Sequence, residues 1–103
     1  MSSLESKEGI KRFEAIQKEQ FELHKKKNHD YAAKEYLSNL TACYAFGIEP
    51  LEGIVVRLTD KISRLASFCK QGVLKVEEEK LEDTLNDIAV YAILARILYE
   101  GDG

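Results

Sequence analysis

The sequence predicts an all-α chain, a compact four-helix domain spanning residues 1–103. Three observations carry that prediction. The 103 residues include one proline and six glycines, so long stretches are free of helix breakers. Apolar residues return every three or four positions and not every second one, the period of a helix with one buried face. The breakers Gly47, Pro50 and Gly72 fall between the periodic stretches.

The first helix is expected from about Leu4 to Lys27, with Ile10, Phe13, Ile16 and Leu23 on its buried side. The turn-prone string "NHD" should end it. A second, shorter helix is expected from about Tyr31 to Phe46, with Ala33, Tyr36, Leu37, Leu40, Cys43 and Tyr44 inward and Gly47 at its C′ position, where a positive φ is needed. Pro50 suits the first position of a third helix, where its missing N–H costs nothing. That helix carries the stripe Leu51, Ile54, Val55, Leu58, Ile62, Leu65, Ala66 and Cys69, and Gly72 should end it. A short connector predicts that the third and fourth helices lie antiparallel and adjacent. Leu58, Leu65, Leu85 and Ile88 are the expected core.

Composition narrows the function classes. The net charge of −3 and 32% charged residues predict a soluble cytoplasmic protein and give no general argument for DNA, RNA or membrane binding. No apolar run approaches the roughly 18 residues of a membrane span, and "MSSLESKEG" has no apolar signal core. Cys43 and Cys69 lie among apolar residues, which predicts buried free thiols. No CxxC or Cys/His cluster points to zinc.

The fourth helix holds the main puzzle. In "EKLEDTLNDIAVYAILARIL", Glu79, Asp83 and Asp87 recur every four residues. At about 100° per residue, Leu81, Leu85, Ile88, Ala92 and Ala95 form one stripe. The acids form another, and it continues into Val90, Tyr91, Leu94, Ile97 and Leu98. Carboxylates on a face that is packed further along are expected where they converge on a cation in a cleft. Glu79 at the helix start is equally explained by the macrodipole, which fades within a turn. On a helix beginning there, Asp83 and Asp87 lie beyond that reach, so they belong either to a cation site or to a network between helices.

Other polar residues invite paired readings. Gln17, Gln20 and His24 run in line with Lys27 between Phe13, Ile16, Phe21 and Leu23, either lining a ligand cleft or bonding to neighbouring helices. On the third helix, Arg57, Asp60, Lys61 and Arg64 have the i,i+3 and i,i+4 spacing of a solvated face. They would equally supply one carboxylate and several cations for phosphate.

Taken together, "KKKNHDYA", "SNL", "IEPLEGIVVRLTDKISRL" and "EKLEDTLNDIAVYAIL" resemble small phage and prophage proteins of the all-α nucleoside triphosphate pyrophosphatase (MazG-like) superfamily. The nearer likeness is to the branch called nucleotide-modification-associated domains. The pattern falls on Lys27, Asn28, Asp30, Tyr31, Asn39, Asp60, Lys61, Arg64, Leu65, Glu79, Asp83, Thr84, Asp87 and Tyr91. It covers about residues 20–99, and its last block is the most specific. The resemblance implies a four-helix fold and Mg²⁺-dependent cleavage of nucleotides between the α- and β-phosphates.

On that resemblance Asp60, Glu79, Asp83 and Asp87 would hold Mg²⁺, with Glu79 and Asp83 as the catalytic carboxylates. Lys27, Lys61 and Arg64 would take phosphates. Asp30, Tyr31, Asn39 and Tyr91 would complete the nucleotide site. Two departures bear on catalysis before they bear on binding. Val56 stands where the family pairs a second carboxylate with Asp60, and the acids of the fourth helix are four apart where the family has three.

Three hypotheses follow: a nucleotide pyrophosphohydrolase, a non-catalytic phage protein that sequesters a nucleotide signal, and a structural subunit whose polar rows are networks between helices. A homo-oligomer, most simply a dimer, is expected as well. Ala89 and Ile93 interrupt the polar side of the fourth helix, and a domain this small gains from burying more apolar surface.

Overall fold

The computed structural model describes residues 5–31, 42–72 and 80–101; the side chains of residues 28–31 and 43 are outside the description. Among the described residues the regular structure is helical and no strand occurs. Three α-helices stand there, and residues 32–41 of the expected second helix lie outside the described residues. The three are α1 (Ser6–Tyr31), α2 (Pro50–Gln71) and α3 (Leu81–Gly101), with a single 3₁₀ segment at Ala42–Phe46. The chain divides into two units, Met1–Tyr36 and Leu37–Gly103, and each is described by itself.

In the first unit, α1 runs straight through "NHD" to Tyr31. Asn and Asp are poor but tolerated helix residues, a few tenths of a kcal/mol worse than average, so the predicted break does not form. The expected buried side is open to solvent, with Ile10 at 70% and Phe13 at 65% exposure. Ile16 and Leu23 are exposed as well.

In the second unit, the 3₁₀ segment is what the description holds of the expected second helix. Ala33, Tyr36, Leu37 and Leu40 lie outside the described residues, and Tyr44, expected inward, is exposed. Gly47 ends the segment at φ 74°, and its N–H donates to the Tyr44 carbonyl at 3.0 Å. Pro50 then takes the first position of α2.

Gly72 closes α2 in the left-handed region at φ 76°, and its N–H donates to the Phe68 carbonyl. A Cβ there would meet no neighbouring atom, so a substitution is penalised by the backbone alone. Gly72→Ala should destabilise the protein by about 1 kcal/mol, read as a lower urea midpoint with an unchanged slope. An unchanged midpoint would contradict this cap.

Helices α2 and α3 form an antiparallel hairpin. Ile54, near the start of α2, is fully buried beside Leu94, near the end of α3, which is 6% exposed. Leu58, Val90, Tyr91, Ala95 and Leu98 pack against that pair. Further along, Lys61 meets Asp87, so the register runs in opposite directions, as the short connector predicts.

The seam corrects the expected core in one respect. It is built from the stripe that carries the acids and continues through Val90, Tyr91, Leu94 and Leu98. Of the stripe of Leu81, Leu85, Ile88, Ala92 and Ala95, Leu85 is 45% exposed and Ala92 is exposed as well, Leu81 and Ile88 are half-buried, and Ala95 packs against the buried pair. On α2, Leu51, Val55 and Ile62 also remain exposed, as do Ala66 and Cys69. One partner helix covers only part of so wide a stripe, and so the Cys69 thiol, expected buried, is free and exposed. Among the described residues no helix is long and apolar enough to cross a membrane.

Candidate functional site

The hairpin has two chemically different flanks. Lys61 lies on one edge of the α2 seam, and Ile62, about 100° further round, opens on the other. On α3, Asp87 lies on the edge facing Lys61, and Leu85 points nearly the opposite way. One flank therefore carries Lys61, Arg64, Asp83 and Asp87. The other carries Leu51, Val55, Ile62 and Leu85.

The charged flank centres on one ion pair. The Lys61 Nζ is 3.0 Å from the Asp87 Oδ2, with the side chains 17% and 31% exposed. It joins two helices, whereas Glu14–Lys18, Asp60–Arg64 and Arg96–Glu100 each link residues four apart on one helix. Such exposed pairs contribute little. A partly dry pair that ties α2 to α3 has more influence on what the surface can bind.

Asp83 lies one turn before Asp87 on the same face of α3 and is exposed. Its position corrects one expectation. Helix α3 begins at Leu81, which puts Asp83 in the first turn. The macrodipole thus reaches Asp83 after all, and only Asp87 lies beyond it.

The remaining predicted residues divide clearly. Asp60 turns away from the seam, 61% exposed, and pairs with Arg64 at 3.2 Å. The structure therefore does not bring Asp60 to Asp87, although Lys61 is its neighbour in sequence. Tyr91 is half-buried and packs on the Ile54–Leu94 pair. Glu79 and Asn39 lie outside the described residues, and the side chains of Asp30 and Tyr31 are likewise outside the description. In the first unit, Gln17 and Lys27 are exposed, while Gln20 and His24 are half-buried.

No family model, curated protein or solved structure matches this chain. The MazG-like resemblance accordingly rests on its motif residues alone.

The donor set can still be tested against magnesium. Mg²⁺ takes one or two protein carboxylates and fills its octahedron with waters and phosphate oxygens. Asp83 and Asp87 offer hard oxygens one turn apart, and an ammonium already sits against Asp87 as a natural stand-in cation. Two carboxylates one turn apart would be the protein's whole contribution to a Mg²⁺ that arrived with phosphate. They do not amount to an all-protein cage, because no group of three or more His, Cys, Asp or Glu suited to a metal forms among the described residues.

Thr84, included in the family pattern without a role, is the residue whose burial sequence reasoning missed. It follows Asp83 and is fully buried, and no buried polar side-chain atom among the described residues lacks a hydrogen-bond partner. The signal was present in "EDTLND" as a polar residue between two acids at core spacing.

Proposed function

We propose that this protein binds a nucleoside phosphate on the charged flank of the α2–α3 hairpin, in the manner of a MazG-like nucleotide pyrophosphohydrolase. The observation that carries the reading is the Lys61–Asp87 pair across the seam, with Asp83 one turn away. A cation for phosphate and two carboxylates for Mg²⁺ share one edge. Mg²⁺ bound there would offset phosphate charge and lower the pKa of a bound water. Lys61 and Arg64 would meet phosphate oxygens, and Tyr91 would hold the seam beneath them.

A second reading is favoured by the orientation of Asp60. With that carboxylate committed to Arg64 on the outer face, the metal set is smaller than the family's two acid pairs. A non-catalytic protein that sequesters a nucleotide, in a phage-encoded setting for example, needs only the binding half of the site.

A thermal-shift panel of linear and cyclic nucleotides, with and without Mg²⁺, tests the common part of both readings. A ligand at 100 times its Kd should add about 2.7 kcal/mol of apparent stability. Product analysis of the same mixtures then separates turnover from intact release. No shift with any nucleotide would overturn both.

We further propose a homo-oligomer, most simply a dimer. Val55 and Ile62, 57% and 53% exposed, lie with Leu51 and Leu85 on the apolar flank, and a second copy would cover them. Sedimentation equilibrium should give a mass above that of one chain at high protein concentration. A monomer throughout would contradict this.

A further inference from the structure

We draw no further inference here: the strongest candidate, the exposed apolar stripe of Leu51, Val55 and Ile62 on α2 beside Leu85 on α3, belongs to the dimer surface already proposed, and nothing in the structure shows what covers it.

Discussion

Replacing Ile54 by alanine is expected to destabilise the protein by about 2–5 kcal/mol, the usual cost of emptying a buried aliphatic site. Ile54 is fully buried, and Leu94 is the other buried apolar side chain of the described core. Leu58, Val90, Tyr91, Ala95 and Leu98 are arranged around these two, so the lost methyl groups lie at the centre of the helix–helix contact. For a chain of this size each kcal/mol moves the thermal midpoint by about 4–8 °C, which makes the effect easy to measure. Leu85→Ala is the natural control. Its side chain is 45% exposed, and the loss should be only about 1–2 kcal/mol. Equal losses for the two variants would show that the seam has been assigned to the wrong face of α3.

Asp83→Asn is expected to abolish the Mg²⁺-dependent response to nucleotide while changing the stability of the free protein very little. Asparagine keeps the shape of the side chain and removes its charge, so it cannot serve as a carboxylate ligand to a hard cation. Asp83 is exposed in the first turn of α3, and its favourable interaction with the helix N-terminus amounts to about 0.3–1 kcal/mol at low salt. That small loss should fade as salt is added, whereas the missing ligand response should persist. A larger, salt-independent loss of stability with the nucleotide response intact would identify the acid row as part of the framework of the fold.

The features legible in the sequence were those set by local chemistry. Pro50 begins a helix because its ring suits that position, and Gly47 and Gly72 take positive φ because a Cβ would resist it. Those constraints act within a few residues and can be read from a few residues. The antiparallel pairing of α2 with α3 followed from the short connector, and the packing of the acid-bearing stripe further along α3 followed from helical angle alone.

What failed to show was the share of each apolar stripe that finds a partner. Periodicity marks Leu85 and Ile62 as apolar on one face of their helices, but it does not say how wide a strip the neighbouring helix covers. The site was hidden in the same way. Asp60 and Lys61 are neighbours in "TDKIS", and one residue of helix rotation sends the first to Arg64 on the outer surface and the second across the seam to Asp87. Thr84 had a place in the family pattern but no role, and its polar side chain gave no sign that it is fully buried.

The two flanks of the hairpin also bear on how such a protein can change. Lys61 and Ile62 are adjacent codons, yet their side chains open on opposite sides of the seam, and the same holds for Asp87 and Leu85 at a spacing of two. Substitutions on opposite flanks share few neighbours, so their energetic effects should come close to adding. A lineage could then change Val55, Ile62 and Leu85 while the Lys61–Asp87 pair stayed as it was. The reverse path is equally open, which makes the seam between Ile54 and Leu94 the part of the hairpin least free to drift.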